Sequence, residues 1–360
     1  MNIVNSTLQW VYTKIVPDIN RDATILGIQL DITNACNLTC DHCYHVHHKN
    51  HGALTFDQWV NVLDQYESLL KKLHMLPQIT LCGGEPLLCL FLFSLVENIR
   101  KRFSNCTINL LSNGTVITPK IAEQLKKYAI HVQISLDGPD SLRHDSIRGK
   151  GSFDKALEGC LILKTHYVSF HHQAVLSKRT APWISDFFKL PSITGAREMD
   201  FTRLIVEGHA KKLGILGEDY PLEGLELKRA LQNILYYSKT TKIPTKTSGP
   251  LWYLIDSTLG SPSNFGFGMV IGYRGEFKVS SRISMSLGNV LEEGLEKLFL
   301  KHHVMKRLRR GKIEGCGPCV YFRQCRGNRN ASYAAYGHLF GPDPGCWVLN
   351  KNDNQLMEIQ

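Results

Sequence analysis

Short apolar segments alternate with amphipathic ones from about residue 25 to residue 215, and this alternation constrains the fold more than any other feature. The apolar segments have the length and composition of buried strands: ILGIQLDIT from Ile25, QITLC from Gln78, TINLLSN from Thr107, HVQISLDG from His131, VSFHHQAVL from Val168 and EMDFTRLIV from Glu198. Strands separated by helices pair in parallel, so the six units predict an α/β fold with a partial (β/α)6 TIM-like barrel. The chemistry of such a barrel lies at the C-terminal ends of its strands.

Two of the intervening helices carry explicit start signals. Thr55 and Gln58 have the spacing of a capping box ahead of the helical pattern FDQWVNVLDQYESLLKKLH. Thr118 is suited to the N-cap of the helix PKIAEQLKKY, with Pro119 in its first turn. We also expect helices near residues 89 to 103, over SFDKALEGCLILKTH from Ser152, and near residues 182 to 189.

Three cysteines follow the first strand in the segment NACNLTCDHCYH, which begins at Asn34. Three residues separate Cys36 from Cys40 and two separate Cys40 from Cys43, so one tight loop can wrap a four-iron, four-sulfur cluster and leave one iron without a protein ligand. Two alternatives remain on spacing alone. One is a zinc site completed by His42 or His45, and the other is a disulfide with a spare thiol.

Size and composition exclude several classes of protein. At 360 residues and 43% hydrophobic content, the chain has room for a barrel and a smaller second domain. The segment PLLCLFLFSLV from Pro86 is too short to span a bilayer, and the start of the chain lacks a secretory signal pattern, so we expect a cytoplasmic protein without a membrane span. The formal net charge of +10 is compatible with nucleic acid, an anionic metabolite or an acidic electron donor.

The motif order resembles that of the radical S-adenosylmethionine (SAM) superfamily. After the Cys loop come GGEP from Gly83, SNGT from Ser112, QISLDGP from Gln133 and IRGKGSF from Ile147, and the likeness extends over most of residues 25 to 350. It implies that the open iron binds the amino and carboxylate groups of SAM. An electron from the cluster then breaks the sulfonium bond and gives a 5′-deoxyadenosyl radical.

The resemblance assigns roles to residues in the loops that follow the first two predicted strands. Cys36, Cys40 and Cys43 ligate the cluster, and Tyr44 packs by the adenine. Gly83, Gly84 and Glu85 lie against the methionine ammonium, where glycines permit close backbone approach and a carboxylate is a natural partner for a cation.

Three further residues match positions that line the SAM site. Asn113 and Ser135 line the pocket, with Ser135 near the ribose. Arg148 matches a residue that pairs with the SAM carboxylate.

The segment CGPCVYFRQCRGNRNASYAAYGHLFGPDPGCW resembles the C-terminal SPASM extension of that superfamily. Its thiols are Cys316, Cys319, Cys325 and Cys346. The SPASM pattern has two auxiliary clusters, but here Arg329 and Ser280 replace two of the cysteines, and no cysteine lies between Cys160 and Cys316. All the missing residues belong to one cluster, so the resemblance implies one auxiliary 4Fe–4S cluster with four thiolates. Structural zinc is the alternative.

The basic run KHHVMKRLRRGK from Lys301 precedes this segment. Charge runs are usually solvated helix faces, and we prefer that interpretation. The alternative is a docking face for an acidic flavodoxin or ferredoxin, or for an anionic substrate.

These motifs predict a division of the chain. We expect an N-terminal lead segment at 1–24, the radical SAM core barrel at 25–215, a helical connection at 216–245, a SPASM- or twitch-like iron–sulfur domain at 246–350 and a tail at 351–360.

The resemblance favours a radical SAM oxidoreductase or maturase that modifies a peptide or protein side chain. Its expected partners are a flavodoxin- or ferredoxin-type reductant and a separate leader-peptide-binding protein, without nucleic acid or membrane. Ser281 stands where sulfatase maturases have an acid/base Asp, which weakens that variant.

Two other functions remain open. The C-R-G-N ending and DPGCW closure resemble the tetrapyrrole-modifying enzymes of haem d1 and alternative haem synthesis. A non-catalytic iron–sulfur electron-transfer protein is the third possibility, but a pure carrier needs no SAM pocket, and the GGEP motif argues against it.

Overall fold

The structure is a computed structural model that describes residues 25–45, 49–217, 219–246, 250–257, 259 and 265–349. The predicted lead segment 1–24 and tail 351–360 lie outside the described residues.

The strands form one sheet in the spatial order β6-β5-β4-β3-β2-β1-β7-β8. Their bounds are β1 Ile25–Thr33, β2 Leu76–Gly83, β3 Thr107–Ser112, β4 His131–Ser135, β5 Phe170–Leu176, β6 Met199–Arg203, β7 Met269–Ile271 and β8 Phe277–Lys278. Strands β1 to β6 are all parallel and pair in sequence order. The predicted α/β fold with a partial six-stranded barrel is therefore confirmed.

Helices connect these strands and continue beyond β6. In the part of the chain that the structure describes, they are α1 Phe56–Leu73, α2 Leu92–Arg102, α3 Pro119–Lys127, α4 Ser141–Arg148, α5 Ser152–Thr165, α6 Ile184–Phe187, α7 Leu190–Thr194, α8 Ala210–Leu216, α9 Gly224–Thr241, α10 Val290–Glu293, α11 His303–Arg309 and α12 Arg329–Tyr336. No helix of these described ranges is long and apolar enough to cross a membrane.

Both predicted helix starts are confirmed. The Thr55 N–H donates to Gln58 Oε1 at 2.9 Å, and the Gln58 N–H donates to Thr55 Oγ1 at 3.3 Å, which completes the capping box of α1. Thr118 Oγ1 accepts the Ile121 N–H at 3.3 Å ahead of α3. Each bond satisfies an N-terminal N–H that the helix itself cannot pair.

The second helix begins later than the sequence predicts. Pro86–Leu88 form a 3₁₀ turn, Cys89 is extended (ψ 116°), and α2 starts only at Leu92. The side chain of Glu85 accepts the Leu87 N–H at 3.2 Å and caps this turn, so the chain closes a separate short element before the helix begins.

Two of the elements that were not predicted bear on the site. Helix α4 carries Arg148, and the Asp140 side chain caps it by accepting the Arg143 N–H at 2.9 Å. Strand β7 comes from the C-terminal part of the chain and pairs in parallel with β1, where Ile28 lies opposite Met269. The sheet thereby joins the barrel to the segment that holds the second cysteine set.

The basic run is only partly a solvated face. Lys301, Arg307, Arg310 and Lys312 are exposed. Arg309, however, is buried and donates from Nε to the Gly266 carbonyl at 2.7 Å. The solvated-face interpretation is therefore wrong for Arg309, because its stem and guanidinium pack inward.

A buried ion pair fastens the C-terminal segment to the end of β6. Arg203 Nη1 donates to both carboxylate oxygens of Asp343, at 3.0 and 2.9 Å. Asp343 also accepts the backbone N–H groups of Asn328 and Gly345, at 2.8 and 2.9 Å. Four hydrogen bonds thus compensate the removal of this carboxylate from water.

Replacing Asp343 with Ala should lower the free energy of unfolding by about 3–5 kcal/mol, because it leaves the Arg203 charge buried without its partner. Urea unfolding of the reconstituted protein under anaerobic conditions measures the change. Lys239→Ala, which removes an ion pair to Asp256 from a lysine side chain that is 67% exposed, is the control and should cost less than about 1 kcal/mol. Equal losses in the two variants would contradict this role of Asp343.

Candidate functional site

The loops after β1 and β2 are held together by their backbones. The Gly84 N–H donates to the Thr33 carbonyl and the Glu85 N–H to the Ala35 carbonyl, both at 2.8 Å. A Cβ atom at Gly84 would lie 2.3 Å from the Ala35 oxygen, and one at Gly83, whose φ is 124°, would lie 2.1 Å from the Thr33 oxygen. Only glycine permits this approach, which brings the GGEP turn against the Cys loop.

The three thiols of the Cys loop face one cavity. Asn113 Nδ2 lies 3.9 Å from Cys36 Sγ, and Arg148 Nη1 lies 3.9 Å from Cys40 Sγ. Burial raises the pKa of all three thiols, that of Cys40 to about 12. Such thiols ionise when they coordinate a metal, and two polar donors beside them suit the negative charge that a thiolate cluster carries. The loop therefore fits an iron–sulfur cluster.

A buried acidic residue orients Arg148. Asp137 Oδ2 accepts Arg148 Nε at 2.5 Å and contacts His42 Nε2 at 2.6 Å, while Oδ1 accepts the Val175 N–H at 2.7 Å. Burial alone would raise the pKa of Asp137, but the charges of Arg148 and His42 outweigh it and hold the pKa well below its usual range. The sequence analysis missed Asp137, although it lies inside the quoted QISLDGP motif.

Glu85 is fully buried and already has three donors. Its carboxylate accepts the Ser112 hydroxyl at 2.9 Å, the Asn113 N–H at 2.7 Å and the Leu87 N–H at 3.2 Å. Burial raises its pKa to about 7 in spite of these bonds. The carboxylate thus ties the GGEP turn to the end of β3, and its predicted contact with the SAM ammonium stays a prediction.

The cavity has a volume of about 410 Å³ and is lined by residues along the barrel strands and in the loops at their C-terminal ends. Nine of the predicted site residues line it: Cys36, Cys40, Cys43, Tyr44, Gly83, Gly84, Asn113, Ser135 and Arg148. The arrangement brings together side chains from four strand-end loops and α4, as the barrel prediction requires.

Sequence reasoning did not identify some of the residues that line the same cavity. Glutamines from four strands, Gln29, Gln78, Gln133 and Gln173, project into it. Their signal was present in the sequence, since a polar residue at an alternate position of an apolar strand marks an inward, non-core face. These side chains make the barrel interior polar and able to hydrogen-bond a ligand.

The C-terminal segment closes one side of the cavity. Ser280, Ser281 and Arg282 follow β8 and line the wall, and Ser281 hydrogen-bonds the Tyr44 hydroxyl. Burial raises the pKa of Tyr44 well above its ordinary value, so its hydroxyl stays protonated. Tyr44 therefore connects the Cys loop to the C-terminal wall.

The C-terminal cysteines surround a second, smaller cavity. It is lined by Cys316, Cys319, Cys325 and Cys346. Burial raises the pKa of Cys325 to about 12 and also raises that of Cys346. The thiols of both sets surround cavities, and within the described ranges no three Cys, His, Asp or Glu side chains converge on a single-ion position.

Comparison with known proteins identifies the family. Residues 30–178 match the model of the radical SAM superfamily. The chain belongs to this superfamily and is a radical SAM enzyme, which implies a 4Fe–4S cluster and SAM.

Curated relatives span nearly the whole chain. It is 25% identical over 345 residues to the AdoMet-dependent heme synthase of Nitratidesulfovibrio vulgaris, which covers 89% of this chain and 91% of that protein. It is 26% identical over 335 residues to the mycofactocin maturase MftC of Mycobacterium tuberculosis, covering 88% of this chain and 81% of that one.

Solved structures share the fold. The structure of anSMEcpe with bound AdoMet and Cp18Cys peptide has a TM-score of 0.69 at 21% identity, over 93% of this chain and 100% of that chain. The structure of Streptococcus suis SuiB bound to precursor peptide SuiA has a TM-score of 0.68 at 15% identity, over 89% of this chain and 75% of that chain.

If Glu85 contacts the SAM ammonium as predicted, Glu85→Ala removes a charge-assisted contact and should weaken SAM binding by about 1.5–3 kcal/mol, roughly 10- to 150-fold in Kd. Glu85→Gln keeps the shape and should weaken binding less. Direct titration with SAM measures both, and iron analysis checks that the clusters are retained. Unchanged SAM affinity in Glu85→Ala would show that this carboxylate serves only to tie the loops together.

Proposed function

We propose that this enzyme reductively cleaves SAM at the Cys loop and abstracts a hydrogen atom from a peptide or protein side chain. The observation that carries the proposal is the meeting of three thiols, the glycine turn and Arg148 on one cavity, in the loops that follow the barrel strands and on α4. A bound cluster would supply the electron that breaks the sulfonium bond.

The residues of this chain would hold SAM in place. Cys36, Cys40 and Cys43 would ligate the cluster, and Tyr44 would pack against the adenine. Gly83 and Gly84 pack against the backbone of the Cys loop and line the cavity, so the turn that they form would lie beside the methionine portion. Asn113 and Ser135 line the same cavity, and Asp137 fixes the direction of Arg148.

The substrate space continues from the SAM site into the polar barrel interior. Glutamine amides on several strands and the serines after β8 offer both donors and acceptors, as an amide-containing substrate requires. A maturase among the curated relatives and two peptide-bound structures of the same fold support a peptide or protein substrate. A leader-peptide-binding protein and a flavodoxin- or ferredoxin-type reductant are the partners that such an enzyme would need.

Arg282 favours a second candidate, modification of a tetrapyrrole. Its guanidinium lines the cavity beside Tyr44 and Cys82, and no carboxylate pairs with it within the described residues. Burial lowers its pKa, yet an arginine keeps its charge at neutral pH. A substrate carboxylate would compensate this charge, and tetrapyrroles with acidic side chains carry several. The heme synthases among the relatives support this candidate.

We further propose one auxiliary 4Fe–4S cluster at Cys316, Cys319, Cys325 and Cys346. The four thiols share one cavity, and Arg329 places a buried guanidinium against it. A cluster with four thiolates is negatively charged and would compensate that cation.

Cys40→Ala should abolish the formation of 5′-deoxyadenosine from SAM by the reduced, reconstituted protein, because an open cluster requires all three thiolates. Chromatography of the reaction measures the product. Cys89→Ala, which changes a partly buried thiol outside the cavity lining, is the matched control and should retain activity. Full SAM cleavage by Cys40→Ala would contradict the assignment of the Cys loop.

Arg282→Gln should weaken binding of coproporphyrin III at least tenfold if the cavity receives a carboxylate-bearing tetrapyrrole, since a hydrogen bond to a charged group contributes about 1.5–3 kcal/mol. Absorbance titration measures the affinity, and the tetramethyl ester should bind both proteins equally. Arg323→Gln, at an exposed arginine, is the control. Equal affinities for the acid in all three proteins would remove the tetrapyrrole candidate and leave the peptide substrate.

A further inference from the structure

Arg329 is a fully buried arginine at the start of α12. The Asn328 side chain caps this helix by accepting the Asn330 and Ala331 N–H groups at 3.0 and 3.2 Å. Arg329 follows this cap directly, and its side chain has no exposed surface. It occupies the position at which the SPASM pattern has a cysteine of the auxiliary cluster whose ligands are missing here.

Its guanidinium bridges a loop and a cysteine. Nη1 donates to the carbonyl groups of Leu339 and Gly341 at 3.0 and 2.6 Å, and Nη2 donates to Cys316 Sγ at 3.6 Å. A Cβ atom at Gly327 would lie 2.2 Å from Nη2 and 3.2 Å from Cys316 Sγ. Glycine at this position is therefore required for the contact between the guanidinium and the thiol.

Among the described residues, no carboxylate forms an ion pair with the Arg329 guanidinium. Within the described residues it forms no salt bridge, and the nearby Asp343 is held in a two-oxygen contact by Arg203. An uncompensated buried charge costs several kcal/mol. The side-chain group of the second cavity in direct contact with the guanidinium is the sulfur of Cys316, one of the four thiols that line this cavity.

A second arginine on this cavity provides an internal comparison. Arg326 also lines it, but its guanidinium lies over the rings of Phe267 and Phe322, at 4.9 and 5.6 Å from their centroids. It carries the same charge as Arg329 and has no hydrogen bond to a thiol among the described contacts. The two residues therefore separate the effect of charge from the effect of an N–H···S bond.

We propose that Arg329 raises the reduction potential of the auxiliary cluster through its N–H···S bond to Cys316 and its buried positive charge. The proposal rests on the auxiliary cluster proposed above. Reduction adds one negative charge to the cluster, so a fixed adjacent cation and a donor to the thiolate stabilise the reduced form more than the oxidised form. At position 329, arginine in place of the cysteine of the SPASM pattern removes a ligand of the missing auxiliary cluster. The same arginine supplies a positive charge beside the remaining auxiliary cluster.

The test is a redox titration followed by electron paramagnetic resonance in the full-length chain with Cys36, Cys40 and Cys43 all changed to Ala. Only the auxiliary cluster remains in this background. Adding Arg329→Met should lower the equilibrium constant for one-electron reduction at least tenfold, a shift of about 59 mV to lower potential. Arg326→Met is the matched control and should shift the potential by less than half as much.

The outcomes separate this proposal from the cluster assignment. An unchanged potential in Arg329→Met with full iron content, or an equal shift in Arg326→Met, would overturn the role of Arg329 and leave the cluster in place. Stoichiometric zinc and no iron in the triple variant would overturn both.

If Arg329→Met does not retain the cluster, a second measurement still tests the proposal. Pulsed electron–nuclear double resonance on the triple variant, with ¹⁵N-labelled arginine, should detect a coupling between the reduced cluster and an arginine nitrogen. Persistence of that coupling in Arg326→Met supports the proposal, and its absence in the triple variant overturns it.

Discussion

Two backbone hydrogen bonds hold the Cys loop against the GGEP turn, and the arrangement of the site depends on them. Strands β1 and β2 are parallel neighbours, so their C-terminal ends deliver both loops to the same edge of the sheet. The bonds from Gly84 and Glu85 then close the remaining distance, which a side chain at either glycine would prevent. The three thiols and the glycine turn thereby meet on one cavity.

Four arginines of the structure differ in the groups that their guanidinium side chains contact. Arg148 is fixed by Asp137 beside Cys40, and Arg203 is fixed by Asp343 between the barrel and the C-terminal segment. Arg329 has a thiol in place of a carboxylate, and Arg282 faces the cavity without an acid among the described residues. The two paired arginines stabilise the fold, whereas we propose that the charges of the other two face a cluster and a substrate.

The sequence predicted the parts of the structure whose signals are local. Strand segments and helix caps such as Thr55 and Thr118 are written in a few adjacent residues, and the strand order follows from the alternation. Helix α4 was missed because SLRHDSIR is short and polar and has little apolar periodicity. Strand β7 is only three residues long, and its pairing with β1 joins positions about 240 residues apart, which no local pattern records.

The same limit applies to the site. The Cys loop and the glycine turn were recognised from contiguous motifs, whereas Asp137 and Arg282 acquire their roles only through neighbours distant in the sequence. Arg329 was noted as a departure from the cysteine pattern, but its burial depends on carbonyl groups at Leu339 and Gly341. The predicted domain boundaries, the SAM contacts and the auxiliary ligands remain predictions.

We propose that SAM binds the open iron of a cluster held by Cys36, Cys40 and Cys43. The most direct measurement is electron–nuclear double resonance of the reduced, reconstituted protein with SAM that carries ¹⁵N in its methionine amino group. We expect a coupling of this nitrogen to the reduced cluster, and its loss when the three cysteines are changed to Ala while the auxiliary signal persists. A reduced cluster in the unchanged protein that shows no coupling to bound, labelled SAM would contradict the claim.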